Sequence, residues 1–438
     1  MRTVGILGGG QLGRMLALAG YPLEIRCRLW DPASDACAGQ VAPLLSVPYT
    51  DPDARQQFID GLECVTYEFE NVDLELVQAL AQHLPVHPTP EALRLFQDRL
   101  IEKQTLRAYG VPPPAFAEVD PHRPERALEV VGLPAVLKTR RFGYDGKGQA
   151  VVRTAEELEQ AVQRFGTQPL ILEAFIPFDR EVSTIGVRSR SGEFVGYPLI
   201  ENWHDKGILR LSLAGDEQPP PAPLSASTLT CHSERSEESQ KNLTPLSPLS
   251  ASREGGEPYS PSPFTERGQG GEVIGSVALT SMRQLMEALD YVGVMTIEWF
   301  QVGSQLLANE VAPRVHNSGH WTIEGAETSQ FENHLRAVLG LPLGATTPRG
   351  YSAMVNLIGA IPPAERVLQI PHAHLHLYGK EPRPGRKVGH ITLRADTPDE
   401  RNARLVELLS VLREVLAPLA GVEAFDVCLR RIVGENGV

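Results

Sequence analysis

The sequence has no apolar run approaching the roughly 20 residues that a bilayer-spanning helix needs, and no C-x-x-C pair. The first absence excludes a transmembrane-helix reading. Its five cysteines, Cys27, Cys37, Cys64, Cys231 and Cys428, are spread over 438 residues. That argues against a disulfide framework or a zinc site and fits a reducing compartment. Basic residues are in the minority. Lys and Arg number 41 against 54 Asp and Glu, for a formal net charge of −13. A dedicated nucleic-acid binder would show a basic patch or stripe, so no nucleic-acid partner is expected. An anionic small substrate stays open, because local Lys and Arg decide that. No signal-type apolar segment precedes the first strand pattern. The expectation is a cytoplasmic protein with no membrane partner.

What is present reads as soluble and globular, with 42% hydrophobic and 22% charged residues. The chain is too long for one ordinary core, so two to four domains are expected. It opens "MRTVGILGGGQLGRMLALAG", where Gly8, Gly10 and Gly13 spell G-x-G-x-x-G after the apolar run Val4 to Leu7. Asp31 closes "CRLWD", eighteen residues beyond Gly13. This is almost the fingerprint of a dinucleotide-binding turn, and an NAD-dependent oxidoreductase is one reading of it.

Residues 1–92 alternate short apolar runs with helical spacing: "TVGIL", a helix over 11–20, "IRCRLW", "CVTYEF", a helix in "DLELVQALAQHL" and a closing strand in "LPVHP". This rhythm predicts a doubly wound parallel sheet. One helix is expected in "PEALRLFQDRLIEKQTLRAYG", bracketed by Pro90 and Gly110, and "VPPPAF" reads as an extended linker. "PAVLKTRRFGYDGKGQAVV" predicts a hairpin around a glycine-rich turn. "LILEAFI", "REVSTIGVR", "VGVMTIEWF" and "QLLANEVAPR" predict further strands, and the last ninety residues mix "HAHLHLYG" and "GHITLRAD" with a long helix. Residues 217–272 break the pattern. They are rich in Ser, Pro, Gly and Glu, and "PLSAS" occurs in them twice. So few large apolar side chains cannot offset ordering entropy, and a flexible surface insertion is expected. Its "CHSERSEESQ" resembles the translated product of a mobile intergenic repeat.

Four stretches can carry chemistry. In "LKTRRFGYDGKGQ", Lys138 ends a strand and Gly143, Gly146 and Gly148 make a turn holding Lys147. Such a turn lets backbone N–H groups approach phosphates, although no G-K-[ST] makes it a Walker A loop; a solvated hairpin has the same composition. In "LEAFIPFDREVSTIGV", Glu173 and Glu181 lie on strands, where carboxylates usually face water; an adenine-nucleotide site would use the backbone at 174–176 and Glu181. In "IEWFQVGSQLLANEVAPRVHNSGHWT", Glu298 and Glu310, with Asn309, offer oxygen ligands to Mg²⁺ at one end of a hairpin. Arg314, His316, Asn317, Ser318 and His320 then crowd one short loop, a density of donors unlike surface filler. In "LYGKEPRPGRKVGH", Lys380, Arg383, Arg386 and Lys387 form either an anion site or a solvated turn. His372, His374 and His376 of "HAHLH" fall on one strand face, read as a polar face rather than a metal site.

"GILGGGQLGRML", "YEFEN", "QDR", "LKTRRFGYDGKGQ", "ENWHDKGIL", "NEVAPRVHNSGHWT" and "RPGRKVGHI" follow one another in this order. The chain resembles the N5-carboxyaminoimidazole ribonucleotide synthetase family of ATP-grasp enzymes over its whole length except about 217–272. The resemblance implies a mixed α/β and α+β protein. This would be an ATP-grasp fold with an N-terminal doubly wound parallel-sheet domain and a small C-terminal β-rich domain. The divisions implied are a preATP-grasp domain at 1–92, a connecting helix at 93–110, a small lobe at 111–180, a central lobe at 181–345 and a C-terminal domain at 346–438.

The implied reaction joins ATP, bicarbonate and 5-aminoimidazole ribonucleotide through carboxyphosphate, with Mg²⁺. By motif, Arg99, Lys138 and the loop Gly143, Tyr144, Asp145, Gly146, Lys147, Gly148 and Gln149 would serve ATP. Glu173, Ala174, Phe175 and Ile176 would hold adenine, Glu181 ribose, and His204 the nucleotide. Glu298 and Glu310 would bind Mg²⁺, with Asn309 assisting. Arg314, His316, Asn317 and Lys147 would be catalytic. Gln11, Leu12, Glu70, Tyr144, Asp145, Lys380 and Arg386 would hold the ribonucleotide, the last two at its 5′-phosphate. A homodimer is implied. The opening glycines then read as a tight turn facing a mononucleotide rather than NAD. The competing readings are another ATP-grasp ligase (a formate-using purine transformylase or a biotin carboxylase), the NAD enzyme, and a non-catalytic nucleotide-binding module.

Overall fold

A computed structural model describes residues 2–143, 148–216 and 272–416. The expectations for Tyr144, Asp145, Gly146 and Lys147, and for the insertion through Gly271, lie outside the described residues; Glu272 opens the helix Glu272–Ala288.

The N-terminal strands form a parallel sheet in the order Leu44–Leu45, Ile25–Trp30, Arg2–Leu7, Cys64–Tyr67. Val4 pairs with both Cys27 and Cys64, so the glycine turn after Leu7 leaves the middle of the sheet at its carboxyl edge. The closing strand expected in "LPVHP" is reduced to a single bridge, Val65 to Val86. Prolines at 85 and 88 remove the backbone donors a longer ladder needs. The helix Gln11–Gly20 buries Leu12, Met15 and Leu16 in a core shared with Phe331 and Leu335 of the helix Gln330–Val338. The first domain therefore packs directly on the central lobe.

The single helix expected over 90–110 is two, Pro90–Phe96 and Arg99–Ala108. Asp98 breaks it. Its extended backbone and side chain cap the second helix, accepting from the Leu100 and Ile101 N–H groups. Arg140 fixes that carboxylate with two 2.9 Å hydrogen bonds.

The small lobe is a four-stranded antiparallel sheet in the order Phe116–Val119, Leu170–Ala174, Ala135–Thr139, Gln149–Val152. The expected hairpin is there, with Lys138 opposite Gln149. A nine-stranded sheet carries the rest. Its path runs from Gln305–Ala312 and Gly293–Val302 through Arg180–Arg188, Ile200–Asp205 and Ile208–Ala214 to Tyr351–Ile358, Lys387–Ala395 and Ala373–Leu377. The C-terminal strands thus extend the central-lobe sheet, Ala214 pairing with Ser352. Leu405, Leu408, Leu409 and Leu412 make the apolar stripe of the helix Pro398–Leu416 and close a core against those strands. His372 lies outside the strand with φ +58°, so only His374 and His376 of the histidine run share its face.

Candidate functional site

The glycine turn spends its N–H groups inside the protein. Gly9 N donates to Asp31 Oδ2 at 2.7 Å, and Gly10 N and Gly13 N donate to the two oxygens of Glu68 at 2.5 and 2.8 Å. Gly8 adopts φ +99°, and a Cβ there would lie 2.6 Å from Glu68 Cγ. Glycine is required, but for packing against an internal carboxylate. The fingerprint reading is corrected accordingly. Asp31, which would hold a dinucleotide ribose, caps the turn, and Glu68 fills the place of a pyrophosphate. Burial pushes the Glu68 carboxyl up, against the two backbone donors. Of the pocket residues expected here, Leu12 is buried and Gln11 accepts a hydrogen bond from Lys380 Nζ. Glu70 pairs with Arg314 Nε. The first domain, the 314–320 loop and the C-terminal turn therefore meet. Beside them, a cavity of about 650 Å³ is lined by Ser34, Gln40, Lys380 and Arg386 among others.

The two strands Gly293–Val302 and Gln305–Ala312 place Glu298 directly opposite Glu310. A bulge between Glu298 and Trp299 follows. Glu310 is bonded by Arg99 Nη1 at 3.1 Å. Burial first, and Glu310 and Glu181 beyond it, push the Glu298 carboxyl up to about 7. Two carboxylates held together this way favour a bound cation. Asn309 Oδ1 beside them is buried without a hydrogen-bond partner among the described residues. Among the described residues, no three His, Cys, Asp or Glu side chains converge into a closed cage. The donor set fits Mg²⁺, which takes one or two carboxylates and completes its shell with water and phosphate oxygens.

Around this pair, His204 Nδ1 meets Glu181 Oε2 at 2.8 Å and its Nε2 lies 4.0 Å from Glu298. Burial would discharge that imidazole, but Glu181 and Glu298 raise its pKa overall. His316 is the opposite case. Burial and Arg314 hold it well below the ordinary histidine range. Its Nδ1 accepts from the Ser318 N–H at 3.3 Å, so the remaining proton sits on Nε2, 3.6 Å from Glu298. Both polar side-chain atoms of Asn317 are buried without partners among the described residues. Unpaired buried amides are costly, so a ligand there would satisfy them.

At the small lobe, Lys138 Nζ donates to Glu173 Oε2 at 2.9 Å. Burial opposes the Glu173 charge, but Lys103, Lys138 and Arg99 hold the carboxyl down at about 2. Glu173 is thus an internal counter-ion, and only its backbone is available to a base. The N–H groups of Ala174 and Phe175 are spent on Ala115 O and Pro134 O; Ile176 is half-buried and Phe175 exposed. Arg99 also reaches Gly143 O at 3.3 Å. Gly148 adopts φ +73°, where a Cβ would strike Thr139 Oγ1 at 2.6 Å, and Gln149 is exposed beyond it.

Two residues were missed. Glu68, two positions before Glu70 in "YEFEN", carried no local signal because its partners lie 55 and 58 residues away. Lys103 is fully buried and donates to Ala308 O at 3.0 Å and to Asn309 O. It stands four residues after Arg99, so helical spacing put it on the same face.

Three family models match the chain: a ribonucleotide synthetase preATP-grasp domain at residues 1–97, an ATP-grasp domain at 104–231 and 272–331, and a phosphoribosylaminoimidazole carboxylase C-terminal domain at 352–404. The N5-carboxyaminoimidazole ribonucleotide synthase of Pseudomonas aeruginosa is 44% identical over 410 residues, covering 93% of this chain and 99% of that protein. The crystal structure of N5-carboxyaminoimidazole ribonucleotide synthetase from Thermus thermophilus superposes with a TM-score of 0.78 at 51% identity, covering 94% of this chain and 98% of that one. The Aspergillus clavatus synthase, solved with ADP and 5-aminoimidazole ribonucleotide, gives 0.75 at 29% identity, covering 94% and 99%.

Proposed function

The chain belongs to the N5-carboxyaminoimidazole ribonucleotide synthase family of ATP-grasp ligases, and on that premise we propose how its residues divide the reaction. It carboxylates 5-aminoimidazole ribonucleotide in an ATP-dependent step of purine biosynthesis. Bicarbonate is the carbon donor. Its oxygen attacks the γ-phosphorus of ATP, ADP leaves, and carboxyphosphate forms. Carboxyphosphate then breaks its C–O bond to give CO₂ and phosphate; the exocyclic amine of the ribonucleotide attacks the CO₂ carbon, forming the N–C bond as one N–H proton passes to the phosphate. Catalysis is mostly positioning and charge neutralisation. A water-excluding site protects the acyl phosphate from hydrolysis.

Arg99, Lys138 and the loop from Gly143 to Gln149 serve the ATP phosphates. The backbone over Glu173–Ile176 holds adenine, and Glu181 with His204 the ribose side. Glu298 and Glu310, with the Asn309 oxygen, would hold Mg²⁺, which when bound neutralises phosphate oxygens. Arg314 neutralises bicarbonate and carboxyphosphate; its pairing with Glu70 holds the guanidinium at the junction of the domains. Neutral His316 offers an Nε2 proton, and Asn317 an unpaired amide. Gln11, Leu12 and Glu70 line the ribonucleotide site, Tyr144 and Asp145 serve the same ligand, and Lys380 and Arg386 clamp the 5′-phosphate. We assign the reaction to the cytoplasm and to a homodimer. Among the described residues, no helix is long and apolar enough to cross a membrane.

The observation that carries this reading is the register pair Glu298–Glu310 facing the Arg314–Asn317 loop. Phosphate release measured with and without bicarbonate and 5-aminoimidazole ribonucleotide tests it. Release is expected to depend on both. Arg314→Ala is expected to lower kcat by about 10²- to 10³-fold, the size of losing one preorganised donor, with the fold intact by circular dichroism. Phosphate release independent of bicarbonate would sink the reading.

A further inference from the structure

A stack of imidazoles, His320 and His390 buried and His376 half-buried, lies behind the site and has no part in the roles above. His320 closes the loop that begins at Arg314 and is 1% exposed. His390, fully buried, lies on the strand Lys387–Ala395, and its ring centroid is 4.7 Å from that of His320. His376, directly opposite His390 in the strand register, stacks on it at 4.5 Å with the planes 9° apart. His376 Nε2 is tied at 2.6 Å to Glu324 Oε1, on the short helix Thr322–Gly325 that follows the loop. Tyr378, two residues along the chain from His376, shares a 2.7 Å hydrogen bond with His390 Nδ1. Lys380 Nζ lies over the Tyr378 ring, 5.8 Å from its centroid, and reaches Gln11 of the first domain. The contacts run without a gap from the loop, through three rings, to the ammonium group of Lys380.

We infer that His320, His390 and Tyr378 are positioning residues that fix Lys380 relative to the Arg314–Asn317 loop, so that both ends of the ribonucleotide site keep one spacing. This rests on the reading that Lys380 clamps the 5′-phosphate. Flat rings suit the task. They pack at core density, as His320 does on His390, while the hydrogen-bonded edges of His376, His390 and Tyr378 fix angles, and an aromatic face attracts the ammonium. An aliphatic core would hold the two segments together without fixing where Lys380 points. Burial keeps His320 and His390 well below the ordinary imidazole range, so neutral rings stack without mutual repulsion. Chains of buried hydrogen bonds and packed rings transmit displacement because they have few alternative arrangements.

The test is steady-state kinetics on the full chain, varying 5-aminoimidazole ribonucleotide and ATP in turn. His390→Ala is expected to raise the KM for the ribonucleotide about tenfold, and Tyr378→Phe, which keeps the ring, about threefold, within the range of coupling through packed networks. The KM for ATP stays within about twofold in both. His390→Asn, which keeps a polar atom near the Nδ1 position, recovers part of the loss. In a Lys380→Ala background, His390→Ala adds little, because the two changes remove the same contact. Equal rises in both KM values, an unchanged ribonucleotide KM in Tyr378→Phe and His390→Ala, or full additivity with Lys380→Ala would each overturn the inference. If Lys380→Ala leaves the ribonucleotide KM unchanged, the clamp itself is refuted and the inference falls with it. If Lys380→Ala raises that KM and the ring variants do not, only the inference fails. Should His390→Ala not fold, Tyr378→Phe and His390→Asn decide.

Discussion

Lys103 shows what one buried charge contributes to this site. It is fully buried, lies 3.7 Å from Glu173 Oε2, and donates to two carbonyls of the strand that carries Asn309 and Glu310. It therefore ties the small lobe to the strand that would hold the cation. Lys138 shares the Glu173 oxygen at 2.9 Å and is closer to solvent. Removing Lys103 takes a donor from two carbonyls and leaves Glu173 with Lys138 and Arg99 as its countercharges. Breaking one partner of a buried pair usually costs about 3–5 kcal/mol. Because Lys138 remains, Lys103→Met is expected near the lower end, about 3 kcal/mol by urea denaturation. A loss below about 1 kcal/mol, the size of a surface pair, would show that Lys138 alone satisfies Glu173.

At the scale of elements, Asp98 decides where a helix starts. Both halves of residues 90–108 carry apolar residues at helical spacing, so periodicity alone reads through the break. Asp98 followed by a helical run is itself a start signal, and the structure uses it, with Arg140 bound across its two oxygens. Asp98→Ala removes a cap and a bidentate ion pair, and is expected to cost about 2–3 kcal/mol. Asp98→Asn keeps the cap and should lose about half of that. Thermal melts of the two variants check the order; equal losses would mean that the cap contributes nothing. The same contrast explains what was readable beforehand. The strands 2–7, 25–30, 64–67, 180–188, 293–302 and 305–312 announce themselves because each is a local apolar pattern. The Glu298–Glu310 pairing follows from a short connection between two such strands. Glu68 under the glycine turn, the contraction of "LPVHP" to one bridge, and the histidine stack were not readable. Each depends on partners brought together from distant segments, and a period in one segment says nothing about its neighbour in space.

On the scale of the whole molecule, two consequences follow from how the parts are joined. The segment 217–271 connects the strand ending at Ala214 to the helix beginning at Glu272, and Asp216 at its entry is tied to Arg401 of the C-terminal helix at 2.5 Å. Replacing it by a ten-residue link is expected to leave kcat/KM unchanged. Loop-closure entropy should then raise stability by about 1.5 kcal/mol; loss of turnover on deletion would give the segment a role in the reaction. The second consequence concerns acid. His334 binds Thr66 of the first domain at 2.8 Å and accepts from Val294 N at 3.1 Å, so it joins three segments as a neutral ring. Burial pushes its pKa down to about 3, and that of His87 down to about 4. The unfolded chain protonates both near the ordinary value of about 6.5, so below that pH it binds more protons than the folded state. Stability from these rings is complete above about pH 6.5 and is lost as pH falls toward their folded values, by about 1.4 kcal/mol per pH unit for each ring. Glu102 and Glu298 act in the other direction. Burial raises them to about 8 and about 7, so the folded state keeps protons that the unfolded chain has released. The total pH profile is therefore flatter than the histidines alone would make it. The contribution of His334 is isolated by difference. His334→Gln removes the titrating ring, and wild type is expected to lose stability relative to it by about 1.4 kcal/mol per unit between pH 6.5 and 4. Urea unfolding of both proteins at half-unit pH steps measures this, and parallel curves would show that His334 is not held neutral at the junction of the domains.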